Sequence, residues 1–116
     1  MALRRISAVF CLLAFPVSAN ELATGDEIRA AISGNTVQGS MIASGGYSEF
    51  YAADGVIKAA DYAGTWSIDG AKMCFAYGQD PATCWGVRIS GDQVTWVGEG
   101  GDEGTGTVKA GNSNGF

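Results

Sequence analysis

The chain contains no histidine, and only 2 prolines and 7 basic residues among its 116 positions. Without histidine, Ser-His-Asp triads, Cys-His pairs and histidine-based metal sites are all excluded. No Gly-rich phosphate loop or dinucleotide fingerprint occurs either. The scarcity of Lys and Arg, against 12 acidic residues, argues against nucleic acid and anionic membrane surfaces, both of which need clustered positive charge. No apolar run is long enough to span a membrane, the longest being Ile6 to Val17.

That run belongs to an N-terminal leader. Arg4 and Arg5 supply a positive start, and Val17-Ser18-Ala19 supplies a small-residue cleavage site, so residues 1–19 read as a secretory signal peptide. Cys11 is not placed for lipid attachment, because Phe10 stands where a small residue is required. The expected mature chain, Asn20 to Phe116, is 97 residues long, enough for one domain with a modest core. It loses two of the basic residues and none of the acidic ones, which leaves a net charge of −7. The expected location is the periplasm or outside the cell. Two cysteines remain, Cys74 and Cys84, and in an oxidising compartment they are expected to form a disulfide.

Thr24 to Ser33 is the one helix the pattern supports. Thr24 caps it, Glu27 completes a capping box, Ile28, Ala31 and Ile32 form an apolar stripe, and Gly34 ends it. A helix of this length does not persist alone and must dock on a sheet.

From Asn35 onward the reading is β throughout. Two-residue turns at Asp69-Gly70 and Gly91-Asp92 divide the stretch Gly64–Val97 into alternating runs. The first turn places Ile68 opposite Ala71 and Trp66 opposite Met73; the second places Ile89 opposite Val94 and Val87 opposite Trp96. With Cys74 facing Cys84, one face collects Trp66, Ile68, Met73, Phe75, Trp85, Val87, Ile89, Val94 and Trp96. The other collects Thr65, Ser67, Lys72, Arg88, Thr95 and the two cysteines.

Upstream, Thr36 to Ile42 reads as a strand. Tyr47 to Ala53 and Val56 to Ala60 pair around Asp54-Gly55, sending Phe50, Ala52, Ile57 and Ala59 to the core and Tyr47, Glu49, Tyr51 and Lys58 outward. Glu49, the one acid inside a strand of this set, then finds its partner in Lys58 on the surface. Downstream, Gly98 to Gly104 reads as an acidic glycine-rich loop, Thr105 to Lys109 as a short strand, and Ala110 onward as a frayed terminus. Glu99, Asp102 and Glu103 match no calcium-loop spacing and read as a solvated turn. The expected fold is mainly β: an antiparallel meander of seven or eight strands closing into a small barrel or curled sheet, with one short N-terminal helix. A barrel of that size is filled by its own side chains, with room for at most a small ligand.

The capped helix running into I-S-G-N-T-V-Q-G, the Y-S-E-F-Y-A-A-D-G hairpin, G-T-W-S-I-D-G-A-K-M-C-F and C-W-G-V-R-I-S-G-D together resemble a group of small exported proteins of Gram-negative bacteria. That resemblance implies a loosely lipocalin-like β layout and carries no activity with it. G-T-W is similar to the lipocalin G-x-W, which opens the first strand in that family, whereas Trp66 sits mid-chain here.

Two functions from different classes follow. The first is a non-enzymatic binding or accessory domain with no cofactor and no metal, using either an apolar pocket built from Trp66, Met73, Phe75, Trp85 and Trp96 for a small apolar ligand or the outer disulfide face as its surface. The second is an inhibitor of an exported hydrolase, presenting the disulfide-braced loop 78–83 to that protein. An open cavity lined by tryptophans favours the first reading. A projecting loop around Pro81 favours the second.

Overall fold

The computed structural model describes residues 21–116; the leader and Cys11 lie outside the described residues. One helix, α1 (Gly25–Ile32), precedes eight strands: β1 (Asn35–Met41), β2 (Gly45–Tyr51), β3 (Val56–Lys58), β4 (Ala63–Asp69), β5 (Lys72–Ala76), β6 (Thr83–Ser90), β7 (Gln93–Gly98) and β8 (Gly101–Lys109). Each strand pairs antiparallel with the next, and β8 returns to β1, so the sheet closes into a barrel without free edges.

The capping box forms as the sequence predicts. Thr24 Oγ1 accepts from the Glu27 amide at 3.1 Å, and Glu27 Oε1 accepts from the Thr24 amide at 2.8 Å. Ile28 and Ile32 carry the apolar stripe into the barrel and are fully buried. With Val37, Ile57, Met73, Val87 and Val94 they form a dense layer that closes this end. The turns 52–55, 70–71 and 91–92 lie at the same end as α1, and the segments 42–44, 59–62, 77–82 and 99–100 lie at the other.

The register of the central hairpins sends the expected residues inward. Met73 faces Trp85, Cys74 faces Cys84, Val87 faces Trp96 and Ile89 faces Val94. The β4–β5 turn differs: its two residues are Gly70 and Ala71, so Trp66 faces Phe75 and Ile68 faces Met73. Because that shift is two residues, every side chain keeps its face.

Three expectations are corrected. Strand β2 points Tyr47, Glu49 and Tyr51 into the barrel and leaves Phe50 on the outside, opposite Lys58. Glu49 therefore makes no surface pair with Lys58, which is exposed. Next, the glycine-rich stretch is mostly strand: β8 starts at Gly101 after a tight turn at 99–100. Its glycines serve the interior. A Cβ at Gly106 would run into the Tyr47 hydroxyl and Val37, and a Cβ at Gly39 would run into the backbone of Thr105. Finally, the C-terminus is tied down. Ser113 N and Gly111 O hold the Thr36 hydroxyl, and the Asn114 side chain accepts from Ser48 at 2.7 Å and Gln38 at 3.3 Å.

Cys74 and Cys84 are joined, with a Cα–Cα distance of 3.9 Å, on the face opposite the tryptophans. Among the described residues, no helix is long and apolar enough to cross a membrane.

Candidate binding cavity

Helix α1 and its apolar layer fill one end of the barrel, while the other end holds a cavity of about 820 Å³. The volume falls within the usual range for small-molecule sites. It exceeds what the expectation of a side-chain-filled lumen allows. Aromatic rings form a large part of its wall. Phe75 sits at the centre, with Trp96 at 5.3 Å edge-on, Trp85 at 5.7 Å and Tyr51 at 6.1 Å between ring centroids. Tyr62 and Tyr77 stack edge-to-face at 5.8 Å nearer the mouth.

The residues expected to form an apolar pocket are divided by this geometry. Phe75, Trp85 and Trp96 line the cavity. Met73 is fully buried in the layer beneath. Trp66 lies on the far side of Phe75, its indole N–H donating to Ala52 O at 2.8 Å and the Arg29 guanidinium 5.6 Å above its ring. Trp66 and Phe75 also border a smaller crevice beside the disulfide.

The polar part of the site comes from β2. Glu49 is only 5% exposed and receives three tyrosine hydroxyls. Tyr51 donates to Oε1 at 2.6 Å, Tyr62 donates to Oε2 at 2.6 Å, and Tyr77 lies 2.9 Å from both oxygens. Such charge-assisted bonds are the strong class, and they offset much of the cost of taking a carboxylate out of water. No Lys or Arg pairs with it: the described residues hold one ion pair, Arg88 to Asp102 at 2.7 Å, on the outer face. Nearby, the Trp96 indole donates to the Tyr47 hydroxyl at 2.9 Å, and that hydroxyl donates to Thr105 O at 2.9 Å.

These contacts raise every tyrosine of the chain. Burial pushes Tyr47 up to about 12, partly opposed by the bond from Trp96 and assisted by the charge of Glu49. Burial comes first for Tyr51, Tyr62 and Tyr77 too, followed for Tyr51 and Tyr77 by the charge of Glu49 and then the hydrogen bond to it, and for Tyr62 by the hydrogen bond and then the charge; all three lie well above the ordinary value.

Sequence reasoning placed Tyr47, Glu49 and Tyr51 on the outside and so missed the polar half of the site. All 4 tyrosines of the chain line this cavity, a clustering that only the fold reveals. The candidate calcium trio is split at the irregularity where β8 passes Trp96 and Val97 and Glu103 is left out of the pairing. Asp102 points out to Arg88, whereas Glu103 points into the cavity wall and Glu99 stays in the exposed turn. Among the described residues no cluster of three or more acidic or cysteine side chains is placed to hold a metal ion. No protein-family model, curated protein or solved structure matches this chain.

Proposed function

We propose that this chain is an exported, non-enzymatic barrel that binds a small, mainly apolar organic molecule at its open end. The observation that carries the reading is the aromatic cavity of about 820 Å³, closed below by the Ile28–Ile32 layer and open among the loops. A barrel folded only for stability would fill this space with side chains, because voids of this size cost packing energy. Export to the periplasm or beyond is supported by the leader pattern of residues 1–19 and by the Cys74–Cys84 disulfide. Exposed Thr65, Ser67 and Lys72 on the outer surface of β4 and β5 suit an aqueous surround rather than the apolar band of a membrane barrel.

A non-enzymatic role is favoured by the chemistry at hand. The two cysteines of the described residues are joined, and the buried carboxylate already accepts from three hydroxyls. Inhibition of an exported hydrolase through loop 78–83 has less support. Gly78, Gln79, Asp80 and Thr83 form part of the cavity rim, which gives the loop a role in the site.

The test is titration of the disulfide-bonded protein with a neutral apolar fluorophore, N-phenyl-1-naphthylamine. Saturable one-to-one binding, with energy transfer from Trp85 and Trp96, is expected. Absence of saturable binding overturns the reading.

A further inference from the structure

The cavity has a strongly one-sided charge. Glu49, Asp80 and Glu103 contribute to its wall, and none of the 5 basic residues among those described does so. Lys58, Lys72 and Lys109 are exposed on the strands, Arg88 is engaged with Asp102 outside, and Arg29 sits on α1 at the closed end. An acid-headed amphiphile would thus bring its negative charge toward buried Glu49 with no cation to receive it, an unfavourable arrangement in an enclosed site.

The hydrogen-bonding inventory points the same way. A tyrosine hydroxyl has one proton to donate. Those of Tyr51, Tyr62 and Tyr77 are directed at Glu49, and that of Tyr47 at Thr105 O. Around Glu49, then, the remaining capacity of the carboxylate and hydroxyl oxygens is acceptor capacity. A group that fits them must be a donor. The rings of Tyr51, Phe75, Tyr77 and Trp96 beside them present π faces and edges in an enclosed site, where a cation is attracted more strongly than at an exposed surface.

We infer that the molecule bound here is an organic cation, a protonated primary or secondary amine on an apolar body, with its ammonium N–H groups directed at the Glu49–tyrosine cluster and its body against Phe75, Trp85 and Trp96. The inference rests on the cavity reading above and narrows it to one class of ligand.

Displacement of bound N-phenyl-1-naphthylamine at neutral pH by three ten-carbon competitors tests it: decylammonium, decanol and decanoate, all kept below micelle formation. Decylammonium should displace the probe at a concentration lower than decanol by about five-fold or more, and decanoate should be the weakest. Glu49→Gln should bring the ammonium-to-alcohol ratio down to about two-fold or less. The parent ratio decides the matter alone if that variant fails to fold. A parent ratio below about five-fold, or decanoate competing as well as decylammonium, overturns the inference while leaving the cavity reading intact. Failure of the probe itself to bind sinks the cavity reading, and the inference with it.

Discussion

At the scale of single residues, Glu49 is where reading the sequence and reading the structure diverge most. In the run Tyr47-Ser48-Glu49-Phe50-Tyr51, polarity alone sends Phe50 inward and the acid outward. The protein does the reverse, because three hydroxyls scattered over β2, the β3–β4 connection and the end of β5 converge on the carboxylate. No local pattern announces a partner 28 residues away, as Tyr77 is from Glu49. Local rules fail most often where a fold hosts function, and this is such a place. The arrangement has a consequence in alkali. Every tyrosine is held above its ordinary value of 10.0, so the folded state binds phenolic protons more tightly than the unfolded chain. Their contribution to stability is complete below about pH 10 and is lost as pH rises from there through the folded values, about 12 for Tyr47. Absorbance at about 295 nm should accordingly show almost no tyrosinate at pH 10 to 11, where free tyrosine is half ionised or more. Glu49→Gln removes the charge and the acceptor, and should bring the onset to lower pH. Ordinary tyrosine titration in the native parent would refute the network.

Among the elements, legibility followed the regularity of the pattern. The β5–β6–β7 hairpins alternate cleanly, and their faces are correct even where the β4–β5 turn sits one residue later than expected. The capped helix is equally direct, since its box is a local contact. The first half of β8 was obscured because Gly101 and Gly104 look like loop residues, although Gly104 faces the barrel interior opposite Met41. The hold of the C-terminal segment on Thr36, Gln38 and Ser48 comes from hydrogen bonds that no periodicity reveals. The β5–β6 pair has the shortest register of the central hairpins, three residue pairs, and the disulfide stands in the middle of it. Closing a loop of 10 residues there should stabilise the fold by about 2–4 kcal/mol, largely through the unfolded chain. Replacing both cysteines with serine should therefore lower denaturant stability by that amount and leave the far-ultraviolet spectrum of the barrel unchanged. The untreated protein should contain no titratable thiol in the mature chain.

Across the whole molecule, packing falls off along the barrel axis. The α1 end is dense, with Ile28, Ile32, Val37, Ile57, Met73 and Val87 all at 0% exposure. Phe75 and Trp96 mark the boundary, and beyond them lie the cavity and its loops. The two cavity tryptophans sit on different sides of that boundary. Trp96 is 1% exposed, packs edge-on against Phe75 and donates its N–H to Tyr47, so its removal opens a buried void and takes one hydrogen bond from the Tyr47 hydroxyl. Trp85 packs on Phe75 with one side only, is half-buried, and turns its remaining surface to the cavity. Trp96→Ala should cost about 3–5 kcal/mol, the usual loss for a buried aromatic. Trp85→Ala should cost about 1–2 kcal/mol, because one face of the ring already meets solvent and little new void is created. Parallel urea titrations of the two variants against the parent measure the difference. Similar losses near the upper figure would mean that the space beside Trp85 is closed in solution and that the barrel is packed to its mouth. A clear gap between them would place the end of the core at Phe75 and leave the volume above it free for a ligand.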